Sequence, residues 1–163
     1  MHPEALEYTQ RVLQAIQPTS VIEIGSRDIN GSARMAGVDW LGIDINPGTG
    51  VDKVVDACYF KPDQLVDCVV CTEVLEHAPD WAVMVLKAAK WLKPGGTLIV
   101  TCAGPTREAH SAVDGGRLRP NEYYRNISIQ MLTDLLEFGG LDGDVEYGRG
   151  QQDLYATIKK PPA

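Results

Sequence analysis

Residues 66–102, VDCVVCTEVLEHAPDWAVMVLKAAKWLKPGGTLIVTC, decide the fold. The stretch opens on a β-rich run at 66–71 and closes on another at 97–102. Both runs are nearly continuous in apolar residues, as strands covered on two faces must be. A helical segment, roughly 79–92, lies between them. Pro79-Asp80 suits its first turn, and Lys93-Pro94-Gly95-Gly96 is expected to end it. Trp81, Met84, Leu86 and Trp91 sit at helical spacing and read as core or covering residues.

The same alternation extends outward. Upstream, residues 3–16 read as a helix: Pro3 sits at its start, Leu6, Val12, Leu13 and Ile16 form a stripe, and Pro18 ends it. Short runs follow at 21–24, 40–45 and 53–56. Downstream, residues 128–138 form another helix, with Ser128 as N-cap and Gly139 at its end. Runs at 143–148 and 154–158, joined by a Gly-rich turn, read as an antiparallel edge hairpin. The count is seven strands. Strands alternating with helices predict an α/β fold with a mostly parallel sheet and helices on both faces. The whole chain, 1–163, fits one domain. The segment 57–65 is too short for a full helix, so one face is thinly covered, with room for a partner or a dimer mate. The loop at 103–126 is long for a compact domain and is the natural substrate-side lid.

Composition narrows the partners. The net charge of −7 argues against nucleic acid or an anionic membrane, which reward Lys and Arg. No run approaches the length of a membrane span. The opening Met-His-Pro-Glu lacks a signal peptide's basic and apolar regions, so a cytoplasmic location with four reduced cysteines is expected.

In open α/β sheets, ligands bind beyond the carboxyl ends of the strands. There the sequence places Glu23 and Gly25, then Asp44, then Asp56-Ala57, then Thr72-Glu73. Gly25 lets a ligand approach the backbone, and Asn30-Gly31 is expected to make a tight turn before a short helix. Asp44 can accept two hydrogen bonds from ribose hydroxyls. Together these residues point to a nucleoside-containing cofactor. A dinucleotide would need a G-x-G-x-x-G cradle for its pyrophosphate, and Arg27 and Ile29 stand where those glycines belong. S-adenosylmethionine carries no phosphate, and its ammonium and sulfonium groups suit an acidic loop.

The segments VIEIGSRDINGSAR (21–34), LGIDINPGTGVDKVVDA (41–57) and VVCTEVLEHAPDWAVMVLKAAKWLKPGGTLIV (69–100) resemble class I S-adenosylmethionine-dependent methyltransferases, closest to the type-11-like group. The resemblance implies a Rossmann-like sheet of order 3-2-1-4-5-7-6 with strand seven antiparallel. It implies that Glu23, Gly25 and Ser26 lie near the methionine end of the cofactor, and Asp44 on the ribose. Ile45 would pack on adenine, Asp56 and Ala57 would meet its amino group, and Thr72 and Glu73 would line the methionyl moiety. His77 completes EVLEH at the edge of the reaction pocket. Arg27 replaces the family's second motif glycine, so the first loop departs from the usual path.

Cys68-x-x-Cys71 is no metal or redox pair, because residues three apart on a strand face opposite ways. No metal-ligand set is read in the sequence. His77 and His110 are the candidate catalytic residues. His77 is also readable as a packing residue, and His110 as a solvated loop residue that, if functional, takes a proton from a substrate hydroxyl. The expected activity is methyl transfer from S-adenosylmethionine to a small-molecule acceptor at O or N. The rival readings are a nucleic-acid or protein methyltransferase, served by the loop arginines, and an inactive cofactor-binding module.

Overall fold

The computed structural model describes residues 2–29 and 31–162. Three helices, α1 (Pro3–Ile16), α2 (Trp81–Lys90) and α3 (Ile129–Gly139), accompany seven strands. The strands are β1 (Ser20–Ile24), β2 (Asp39–Asp44), β3 (Lys53–Val54), β4 (Val66–Thr72), β5 (Leu92–Ala103), β6 (Asp142–Gly148) and β7 (Asp153–Lys159). They form one sheet of order β3-β2-β1-β4-β5-β7-β6, parallel except for β7, which runs antiparallel to both its neighbours. This is the expected topology. No helix among the described residues is long and apolar enough to cross a membrane.

Alternation along the strands divides the core in two. Ile22, Ile24, Val69, Cys71, Leu98 and Val100 face α2 and α3. Val21, Cys68, Val70, Ile99 and Tyr155 face α1, where Tyr8 stacks on Tyr155 with ring centroids 4.8 Å apart. Cys68 and Cys71 therefore belong to opposite faces, as the period of a strand requires. Two helices cover one face and a single helix covers the other. The helix ends follow local chemistry: Ser128 Oγ accepts from Met131 N, and Gln17 closes α1 in the left-handed region.

Two local expectations are corrected. Asn30 lies outside the described residues, but no helix follows Gly31. Only five residues separate Gly31 from Gly37, both at positive φ, too few to nucleate a helix. Arg34 instead spans outward, pairing with Glu23 (3.3 Å) and Asp52 (3.1 Å), which ties the irregular segment down. Second, Lys93-Pro94-Gly95-Gly96 does not itself end α2. The helix stops at Lys90, capped by Trp91, and residues 92–96 form the irregular start of β5, where Leu92 pairs with Val66 across a register shift.

Candidate functional site

The carboxyl ends of β1 to β4 converge on a cavity of about 230 Å³. Gly25 follows β1, Asp44 and Ile45 close β2, Asp56 and Ala57 follow β3, and Glu73 and Val74 follow β4, and all of them line it. Gly25 is obligatory here: its φ is +72°, and a Cβ would collide with Val74. Asp44 Oδ1 accepts from the Asn46 amide at 2.8 Å, and its other oxygen accepts nothing among the described residues. Asp56 Oδ1 likewise accepts from Cys58 N at 2.7 Å. Ile45 is 68% exposed while lining the cavity, an apolar surface without a cover.

Three residues expected at the cofactor do not line this cavity. Glu23 is buried and turned to Arg34, and burial raises its pKa despite that partner. Ser26 packs its buried hydroxyl toward Gly42. Thr72 lines a second, larger cavity.

That second cavity, about 1120 Å³, is walled by residues 106–112 and 114–117, the amino end of α1 and Thr72. It shares Arg27, Ile29, Glu73, His77 and Ala112 with the first, so the two adjoin. Between Ala103 and Ile129 the chain forms neither helix nor extended strand, yet it is internally bonded. His110 bridges to Arg117, Ser111 Oγ donates to Glu122 (2.7 Å), and the Arg125 amide donates to the Glu76 carbonyl (2.8 Å). Arg27 Nη2 donates to the Ala112 carbonyl at 3.3 Å. The residue that displaced a motif glycine thus ties the first loop to the long one.

An ion network supports the junction. Arg107 Nη1 lies 3.0 Å from Glu73 Oε2 and 2.7 Å from Asp153 Oδ1, and His2 Nε2 stands 3.2 Å from the same Asp153 oxygen. Asp153 is 0% exposed. Glu73 holds a positive φ of 56° and accepts from Thr101 Oγ1 at 3.1 Å. Local sequence pattern links neither Arg107 nor Asp153 to Glu73, since Asp153 opens β7, far along the chain, and comes near only because β7 pairs with β5.

His77 and His110 are brought together, with ring centroids 5.0 Å apart, and Tyr124 packs edge-on against both at 5.4 and 5.1 Å. Burial, reinforced by His110, lowers the pKa of His77 to about 4. Burial, reinforced by Glu73, pushes the carboxyl of Glu76 well above the usual range. In the sequence Glu76 is marked only by its place within EVLEH.

The profile of a family described as "Methyltransferase domain" matches residues 1–144. The chain belongs to this family. A probable S-adenosylmethionine-dependent methyltransferase of Mycolicibacterium smegmatis is 34% identical across a match covering 58% of this chain. The chain spans only 37% of that relative's length. Among solved structures, the 1,6-didemethyltoxoflavin-N1-methyltransferase of Burkholderia thailandensis, with its namesake ligand and S-adenosylhomocysteine bound, superposes with a TM-score of 0.73. It is 14% identical, and the match covers 96% of this chain and 78% of that one. The [4+2]-cyclase SpnF superposes with a TM-score of 0.69 at 16% identity, covering 97% and 81%. These superpositions establish the fold of a methyltransferase domain.

S-adenosylmethionine is the cofactor of this class, and the residues present fit it. The smaller cavity offers an apolar surface at Ile45, an oxygen of Asp44 with room for a hydroxyl, and a Gly25 backbone with no side chain in the way. When bound, the cofactor supplies an activated methyl on sulfonium. The carboxylates of Asp44, Asp56, Glu73 and Asp80 around the cavity outnumber its one cation, Arg27, which suits a cationic guest.

Proposed function

We propose that the protein transfers a methyl group from S-adenosylmethionine to a small-molecule acceptor, at oxygen or nitrogen. The observation that carries this reading is the pair of adjoining cavities sharing Glu73 and His77. The smaller takes the cofactor through Gly25, Asp44, Ile45, Asp56, Ala57 and Glu73. Glu23, Ser26 and Thr72 act behind that wall or on the acceptor side of it. The larger takes the acceptor, and its volume suits a small molecule. His77, which lines both cavities, and His110, which lines the larger, flank the attacking atom in this reading, and alignment of that atom with the methyl is the protein's main contribution. The loop at 103–126 acts as the acceptor-side lid.

A small acceptor is favoured over nucleic acid by how the loop's arginines are used. Arg107 is committed to Glu73 and Asp153, and Arg119 to Asp114, so they do not form a basic track. The bound small molecule of the Burkholderia relative supports the same choice. A second reading, a cofactor-binding module with other chemistry, is favoured by the cyclase name of one neighbour with the same fold.

Isothermal titration calorimetry with S-adenosylmethionine and S-adenosylhomocysteine tests the proposal. Saturable one-to-one binding is expected, followed by methyl transfer to an acceptor from a small-molecule panel. Absence of binding at millimolar cofactor overturns the reading. Binding without transfer to any acceptor selects the second one.

A further inference from the structure

We propose that Glu76, His77 and His110 form a binding site for a divalent transition-metal ion at the boundary between the two cavities. One carboxylate oxygen and one nitrogen from each histidine lie within 4.8 Å of one another. Small side-chain shifts bring such a set to coordination distance, since bonds of about 2.1 Å place ligand atoms roughly 3–4 Å apart.

Two further observations point to a ligand there. Glu76 is wholly buried, and neither of its carboxylate oxygens has a hydrogen-bond partner among the described residues. A buried carboxylate in that state carries a desolvation cost that a bound cation offsets. Nδ1 of His77 is also buried with no partner among the described residues. His110 is prepared differently. Its Nδ1 lies 3.1 Å from the Glu108 carbonyl, which can only accept, so Nδ1 carries the proton and Nε2 keeps the lone pair. That backbone contact is the usual support of a metal-bound histidine. Tyr124, against both rings, holds them in place.

Two imidazoles and one carboxylate suit Zn²⁺, Mn²⁺, Fe²⁺ or Co²⁺ rather than Mg²⁺ or Ca²⁺, which prefer all-oxygen shells. Three protein ligands leave a coordination position open. His77 lines both cavities and His110 lines the larger, so the open position gives onto the acceptor's space. This next step rests on the methyl-transfer reading above. An acceptor hydroxyl filling the open position becomes more acidic and gives its proton to water. The oxygen's electron pair then forms the new bond to carbon. The carbon–sulfur pair returns to sulfur, leaving S-adenosylhomocysteine and an unchanged ion. The substrate class is therefore a small alcohol or phenol.

The test uses the untagged full chain, freed of metal by dialysis against a chelator and titrated with Co²⁺ alone. Visible absorption and calorimetry are the readouts. One Co²⁺ per chain is expected, with bands distinct from the aqueous ion. Glu76→Gln keeps the buried volume, and His110→Ala lies on the loop. Each should weaken Co²⁺ binding by at least about tenfold while S-adenosylhomocysteine affinity is retained. Absence of Co²⁺ binding, or binding unaffected by either substitution, overturns the metal site. If S-adenosylhomocysteine still binds in that case, the cofactor reading stands. Co²⁺ binding lost in the variants, in a chain that never binds S-adenosylhomocysteine, supports the metal site and overturns the cofactor reading instead.

Discussion

The two adjoining cavities are built by opposite means. The smaller one is a product of the sheet: its walls are residues that must stand at strand ends once β1 to β4 pair in parallel. The larger one is a product of a loop, held by side-chain ion pairs and hydrogen bonds rather than by ladders. A site made of strand ends keeps its geometry as long as the sheet exists. A site made of a loop can change occupant by changing a few contacts. On the proposed reading the constant partner, the cofactor, takes the first cavity and the variable one, the acceptor, takes the second.

On the loop side, Arg107 carries the ion pairs that reach the sheet. Arg107→Ala takes from Asp153, which is 0% exposed, its shortest ion pair, leaving it to His2 and Tyr155, and releases Glu73. A loss of about 2–3 kcal/mol in unfolding free energy is expected by chemical denaturation. A loss under about 1 kcal/mol would show that the loop is held by something else. The sheet-side construction predicts a separable effect. Asp44→Ala should weaken S-adenosylhomocysteine binding by about 1–3 kcal/mol in calorimetry, leaving ribose hydroxyls without a partner, with little change in stability.

The far end of the sheet serves as control. Asp67, at the start of β4, accepts from Lys93 (2.7 Å), Thr19 and Ser20, and these donors, Lys93 first, hold its carboxyl well below the usual range. A depressed carboxyl contributes stability above its unfolded pKa of about 4 and loses it as pH falls. Asp67→Asn should cost about 1 kcal/mol at pH 7, after solvent screening. The gap from the unsubstituted chain should shrink below about pH 4, with cofactor affinity unchanged throughout. Smallest is Arg119→Ala, which breaks an exposed pair with Asp114 at 2.8 Å. Thermal unfolding should register no resolvable change in midpoint.

The same contrast explains what the sequence made legible. Asp44, Asp56 and Glu73 are readable because apolar runs end beside them, and strand ends follow from local pattern alone. The hairpin of β6 and β7 is readable for the same reason. The segment after Gly31 reads as helical by local pattern, but Arg34 reaching Glu23 and Asp52 holds it irregular, a tertiary choice no local pattern carries. Glu23 illustrates the reverse case: it stands at the right strand, yet its side chain turns to Arg34 and away from the cavity. The grouping of Glu76 with His110, and of Arg107 with Asp153, depends on how the loop folds back over the strand ends. Those residues are far apart along the chain, and their types alone announce nothing.

The central claim is that the cavity at the carboxyl ends of β1, β2, β3 and β4 receives the adenosyl cofactor. An amide ¹H–¹⁵N NMR titration with S-adenosylhomocysteine tests it most directly. The largest shifts are predicted at Gly25, Ile45, Ala57 and Glu73, with little change at Asp67 or along β6. Shifts centred anywhere else, or no saturable shifts at all, would contradict it.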